Sequence, residues 1–347
     1  MKKVSVIGLF CMGIDVADGQ SIKTRIVARE IEKNIGSQEM QRIDTYGWKK
    51  NPFRLFWNCI KAVCGSKNVV FLTDAGGINI FPWLLNCVNI FFNRTIHYVV
   101  VGGWIVNYVK KHKVIPWFLK KLDGIFVETT VMKKVLEAEG FKNVYLMPNF
   151  KELVPLEESN LTLRDREPFK LCMFSRLMKE KGVENAVEAV KCINNKMGRI
   201  VCTLDLYGQI DSLQTEWFEN FKKTAFTDEI RYHGVVPFDK SVEILKDYYA
   251  LLFPTQFYTE GIPGTIIDAY AAGIPVIASE WESVFDIVEP SVTGLTYPFD
   301  KPEALQEKIE FIIDNPELVL DMKKRCLKKA EEYLPTTVID ILLSRLS

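Results

Sequence analysis

At 347 residues the chain exceeds what one hydrophobic core usually supports, so two domains are expected. Hydrophobic residues at 48% and charged residues at 25% are ordinary for a globular protein, and 44 Lys+Arg offset 44 Asp+Glu, so no overall basic excess points to nucleic acid. The balance is uneven along the chain. Residues 1–150 hold 21 Lys+Arg against 11 Asp+Glu, so the first half is expected to face something anionic. Eight scattered cysteines without a Cys-x-x-Cys pair, and an N-terminus that reads as a strand rather than a signal peptide, fit free thiols in the cytoplasm. Three distant histidines, His97, His112 and His233, do not make a metal site.

In chain order, "KVSVIGLF" (3–10), "NVVFLT" (68–73), "TIHYVVV" (95–101), "GIFVE" (124–128) and "NVYLMPN" (143–149) are short apolar runs rich in β-branched residues, which predicts strands. The periodic segments 20–34 and 129–140 between them predict helices. A polar stretch, "KELVPLEESNLTLRDREP", reads as an interdomain linker. The rhythm then restarts with strands at 169–175, 200–208, 230–234, 249–255 and 274–279. Alternation of this kind implies an α/β chain of two Rossmann-like, doubly wound domains facing across a cleft. The expected divisions are residues 1–152, residues 168–330, and a terminal helix at 331–347 that crosses back to the first domain. Ligands in such sheets sit beyond the carboxyl ends of the strands, which selects the loops at 11–20, 74–77, 102–104, 175–182, 208–211, 234–238 and 256–265.

Three of these loops carry chemistry. In "FPTQFYTEGIPGTIIDAYAAGIPVIAS" (253–279), Pro263 suits the first turn of a helix, and Gly261 and Gly264 let a ligand approach the backbone. With Ile262, Thr265 and Ile266 they frame a helix N-terminus whose N–H groups at 264–266 would bind an anion. Glu260 before the helix and Asp268 in its second turn would accept hydrogen bonds from paired hydroxyls. In "FSRLMKEKGVENAVEAV" (174–190), Arg176 and Lys181 precede a glycine at a strand-to-helix turn, where a guanidinium and an ammonium grip a diphosphate. In "GLFCMGIDVADGQSIKTR" (8–25), Gly19 and Gln20 lie at a tight turn that is not a Walker A loop.

The order of these parts resembles the retaining glycosyltransferases of the GT-B fold, the large family-four group that uses nucleotide-activated sugars. The family's glycine loop, its Gly-Arg-Leu with a downstream Lys-Gly, and its Glu, seven residues, Glu read here as "DGQSIKT", "SRLMKEKG" and "EGIPGTIID". The resemblance is strongest over 170–313, and "ADGQSIKTR" and "HYVVVGGW" look most like bacterial enzymes that build capsule, lipopolysaccharide or related polysaccharides. It implies catalytic roles for Arg176, Lys181 and Glu260 and a donor site including Gly208, Val235 and Val236, the last two near the base. Two departures stand out. Asp268 replaces the family's second glutamate, which holds the ribose, and Gly102-Gly103-Trp104 stands on the acceptor side where the family often has a histidine. His97 is therefore read as a strand residue, not a catalyst.

The expected activity is transfer of a hexose from a nucleotide-diphosphate sugar, with uridine diphosphate the commonest choice, to a glycan or lipid-linked acceptor. No Asp-x-Asp pair occurs, so neither a metal nor another cofactor is expected. Front-side retention is implied by the resemblance. The segments 78–93 and 104–121 mix aromatics with lysines and are too interrupted to span a bilayer, which suits an inner-leaflet membrane surface as a peripheral partner. Rival readings are a non-catalytic nucleotide-sugar-binding subunit and a sugar-nucleotide epimerase of the same fold. A dinucleotide dehydrogenase is disfavoured, because "GLFCMG" lacks the Gly-x-Gly-x-x-Gly spacing.

Overall fold

The computed structural model describes residues 1–13, 19–163 and 165–346. The chain divides into two compact units, Met1–Glu152 with Tyr333–Ser347, and Leu153–Glu332. In chain order the first unit contains β1 (Lys2–Gly8), α1 (Gly19–Ile35), β2 (Met40–Asp44), α2 (Pro52–Gly65), β3 (Ser66–Phe71), α3 (Phe81–Asn89), β4 (Thr95–Val99), α4 (Ile105–Lys111), α5 (Val114–Leu119), β5 (Gly124–Val127), α6 (Thr130–Ala138) and β6 (Val144–Leu146). The second contains β7 (Phe169–Phe174), α7 (Val183–Met197), β8 (Cys202–Tyr207), α8 (Thr215–Ala225), β9 (Ile230–Tyr232), α9 (Ser241–Leu245), β10 (Ala250–Phe253), α10 (Gly264–Ala271), β11 (Val276–Ser279), β12 (Gly294–Tyr297), α11 (Ala304–Asp314) and α12 (Pro316–Ala330). Two short helices, α13 (Pro335–Val338) and α14 (Asp340–Leu343), follow.

Each unit has one six-stranded sheet, ordered β2-β1-β3-β4-β5-β6 and β12-β11-β10-β7-β8-β9, and every recorded strand pair is parallel. A parallel sheet is covered on both faces, so its strands are apolar runs without alternation. All four residues of β5, β10 and β11 are buried accordingly. Two strands escape the sequence reading. β2, "MQRID", is half polar because it lies at a sheet edge, and β12 is only four residues long.

Local chemistry sets the helix starts. Pro52 opens α2 while the Asn51 side chain accepts from the Arg54 amide at 3.1 Å, and Thr129 Oγ1 caps α6 through the Met132 amide at 3.1 Å. The stretch read as a linker does not hang free. Within the second unit the Leu156 amide donates to the Ala271 carbonyl at 2.7 Å, and Leu161 lies against Gly273. In the first unit Val338, Ile339 and Leu342 join a core with Val4, Val6, Ile26, Val27 and Ile31. No helix among the described residues is long and apolar enough to cross a membrane.

Among the described residues of the second unit, one lysine is buried. Lys323 of α12 is 1% exposed and donates to the Tyr248 carbonyl at 3.2 Å, and burial lowers its pKa to about 8. The unfolded lysine binds its proton more tightly, so the cost of burying the charge is full below pH about 8 and disappears above the ordinary lysine range. Lys323→Met is expected to raise stability at pH 7 by about 1–3 kcal/mol. In a pair of thermal melts the gain should shrink between pH 8 and 10.5, and a constant gain would contradict the burial argument.

Candidate active site

In the second sheet the strand order reverses between β7 and β10, and in such sheets ligands bind beyond the carboxyl ends of the strands at that switch point. The turn carrying Arg176 and Lys181 leaves β7, and the loop carrying Glu260 leaves β10. Gly182 joins the two. It takes the left-handed conformation (φ 73°), and a Cβ there would stand 1.9 Å from the Pro254 carbonyl oxygen. The Gln256 amide also donates to the Glu180 carbonyl at 2.7 Å, so the loops are stitched backbone to backbone.

This stitching pairs Lys181 Nζ with Glu260 Oε1, the two side chains being only 17% and 16% exposed. Thr255 Oγ1 donates to the same carboxylate oxygen at 3.1 Å, and the Phe253 and Phe257 rings lie 5.4 and 5.1 Å from the ammonium. The sequence reading left Glu260 without a neighbouring lysine and teamed Lys181 with Arg176. The structure corrects this: Lys181 neutralises Glu260, because Gly182 brings the β7 turn against the end of β10. Arg176 is 57% exposed, with Nη1 3.7 Å from Asp211 Oδ2.

Gly208 follows β8 at φ 132°, and a Cβ there would lie 1.9 Å from the Ser175 carbonyl oxygen. Its amide donates to the Gly234 carbonyl at 2.8 Å, which sets the loop holding Val235 and Val236 beside the Arg176 turn. Val235 is exposed.

At α10 the reading needs two corrections. Pro263 occupies the N-cap, with Gly264 the first helical residue, and the Ile266 amide donates to the Pro263 carbonyl at 3.1 Å. Of the three amides expected for an anion, those of Gly264 and Thr265 have no acceptor among the described residues. Thr265 Oγ1 is buried there without a hydrogen-bond partner. Gly261 and Ile262 are buried in the preceding loop. Asp268 is not an open ribose acceptor: it is 2% exposed, and Ser241 Oγ donates to its Oδ1 at 2.8 Å. The shorter side chain stays within the reach of α9.

The remaining predicted residues belong to the first unit. Residues 14–18 of the loop after β1 lie outside the described residues, and Gly19 and Gln20 open α1. Gly19 is not left-handed, and a Cβ there would meet nothing within 4 Å, so the tight turn expected at this position is not what selects glycine. Gly102 is left-handed (φ 81°), and its amide donates to Glu128 Oε1 at 3.2 Å. Gly103 follows, and the Trp104 indole N–H folds back to the Val101 carbonyl at 2.9 Å. Glu128 also pairs with Lys23 at 2.6 Å, both side chains being 3% exposed. His97 is buried in β4, bonded through Nε2 to the Arg345 carbonyl at 3.1 Å, and burial lowers its pKa. It sits there as a neutral strand residue.

Sequence reasoning missed Ser241, Asp211, Lys23 and Glu128, whose partners are distant in the chain, and Thr255, whose partner Glu260 lies five residues on. Among the described residues no group of three or more His, Cys, Asp or Glu side chains is placed to hold a metal ion.

Comparisons with known proteins bear on the fold and the family. HepE of Anabaena, solved in complex with UDP, superposes with a TM-score of 0.76 at 11% identity, covering 100% of this chain and 99% of that one, a likeness of fold. The chain is 28% identical over 160 residues to the amylovoran biosynthesis glycosyltransferase AmsK of Erwinia amylovora, covering 43% of this chain and 37% of that protein. It is 24% identical over 204 residues to the N,N'-diacetylbacillosaminyl-diphospho-undecaprenol alpha-1,3-N-acetylgalactosaminyltransferase of Campylobacter jejuni, covering 58% and 50% respectively. The chain thus spans half or less of the length of these two curated relatives. The family described as glycosyl transferases group 1 matches residues 157–331, half of the chain and the whole of the site just described in the second unit. With two parallel six-stranded sheets in the GT-B manner and that match, the chain belongs to the glycosyl transferases group 1 family.

Proposed function

We propose that the chain is a retaining hexosyltransferase that moves a sugar from a UDP-sugar to a glycan or lipid-linked acceptor in bacterial surface polysaccharide synthesis, working peripherally at the inner membrane face. The observation that carries this reading is the Lys181–Glu260 pair at the switch point. It lies in the same loop system as the unpaired Gly264 and Thr265 amides at the positive end of α10. The Erwinia and Campylobacter relatives, an amylovoran biosynthesis enzyme and a diphospho-undecaprenol glycosyltransferase, support the polysaccharide context, and UDP in the HepE structure supports the nucleotide.

In the reaction the bond between the anomeric carbon and the β-phosphate oxygen breaks, and its electron pair goes to the leaving diphosphate. Lys181, Arg176 and the two α10 amides stabilise that charge. Glu260, held by Thr255 and Lys181, faces the donor hydroxyls. The acceptor hydroxyl adds to the same face of the sugar, its proton passing to the departing phosphate oxygen. Backbone of the Gly234–Val236 loop holds the base.

The test is release of UDP from a radiolabelled UDP-hexose panel by the full chain, followed by the anomeric configuration of the product. At least one donor should yield UDP and an axial product from an axial donor. Binding without any release would make the chain a nucleotide-sugar-binding subunit, and an inverted product would overturn retention.

A further inference from the structure

The first unit contains two cavities that meet at one side chain. The first, about 270 Å³, lies over the ends of β1 and β3, where the order of that sheet reverses, and is lined by Gln20, Thr45, Lys50, Thr73 and Asp74. The second, about 360 Å³, is a groove between α2 and α3 walled by Phe53, Phe56, Ile80, Trp83 and Leu84. Trp48 lines both.

The groove offers a ligand hydrocarbon contacts only. The Trp83 indole N–H already donates to the Asn79 carbonyl at 2.9 Å, and Phe53 is 84% exposed. Single exposed aromatics are ordinary, but a groove of them marks a binding surface. The sequence that carries these walls is basic. Residues 50–121 contain ten Lys+Arg and one acid, Asp74. That carboxylate accepts from the Gly76 and Gly77 amides at 3.0 and 2.8 Å, so it serves its own turn. Lys50 stands at the polar cavity, and Arg54 follows on α2.

We propose that the two cavities form one site for an amphiphilic acceptor: a phosphate-linked head sits in the polar cavity beside Lys50, and its hydrocarbon chain lies in the α2–α3 groove. Trp48 is the wall at which head gives way to tail. The cation excess matches an anionic head, and the continuity of an apolar groove with a polar cavity matches a lipid chain. This deepens the transferase reading and rests on it for the word acceptor.

The experiment is calorimetric titration of the full chain with farnesyl diphosphate and, separately, inorganic pyrophosphate, with UDP titrated into the same preparation. Farnesyl diphosphate should bind at least about tenfold more tightly than pyrophosphate, the difference coming from buried hydrocarbon. Phe53→Ser with Phe56→Ser should erase that preference without changing pyrophosphate affinity, and since both rings are exposed the fold should be kept. Arg176→Ala, in the other unit, should leave the preference intact, which separates this site from the donor loops. Equal affinity for the two compounds, or a preference that survives the double substitution, overturns the proposal. UDP binding alongside either result leaves the donor reading standing, so the two ideas fail independently.

Discussion

Lys181→Ala is expected to lower UDP release from a UDP-sugar by about 10²–10³-fold, as removal of one charge-stabilising donor does elsewhere. The lysine is 17% exposed, so its ammonium acts where water screens it weakly, whereas Arg176 is 57% exposed. Arg176→Ala should therefore lower turnover too, but less than Lys181→Ala. Loss of Lys181 also leaves the Glu260 carboxylate with the 3.1 Å hydrogen bond from Thr255. An effect on both kcat and kcat/KM follows if Lys181 acts on charge developed in the transition state. Normal turnover in both variants, with melting curves like the parent, would remove the clamp assignment.

Gly208→Ala is expected to cost about 3 kcal/mol of stability in the second unit, the sum of left-handed strain and overpacking. The added Cβ would stand 1.9 Å from the Ser175 carbonyl oxygen, so the backbone leading into Arg176 has to move. UDP affinity should fall with it. Gly234→Ala is the matched control. Its backbone is also left-handed (φ 80°), but a Cβ there would meet nothing within 4 Å, so only the strain of about 1–2 kcal/mol applies. Denaturant melts of the two variants isolate the close approach, and equal stabilities would show that the Ser175 contact yields at no cost.

The pattern of short apolar strands and periodic helices was legible because a parallel sheet buries both faces, leaving no polar alternation to confuse the reading. It failed at β2, where Gln41 and Arg42 dilute the apolar signal, and at β12, which is mostly buried but only four residues long. The charge division was legible too, but not the cavities that give it a use. Those depend on α2, whose Phe53 and Phe56 carry no mark of exposure in the sequence.

The candidate site divides along the same line. Sequence by itself determined which residues surround the switch point, since Arg176, Lys181, Gly182, Glu260 and Gly264 follow the strands that a doubly wound sheet must place there. Tertiary structure alone decided how they are partnered. Lys181 meets Glu260 across 79 residues, Asp268 turns in to Ser241, and Arg176 leans on Asp211. Strand order follows from local pattern and connection rules, whereas an ion pair depends on sub-ångström loop approach, which here rests on two glycines pressed against carbonyl oxygens.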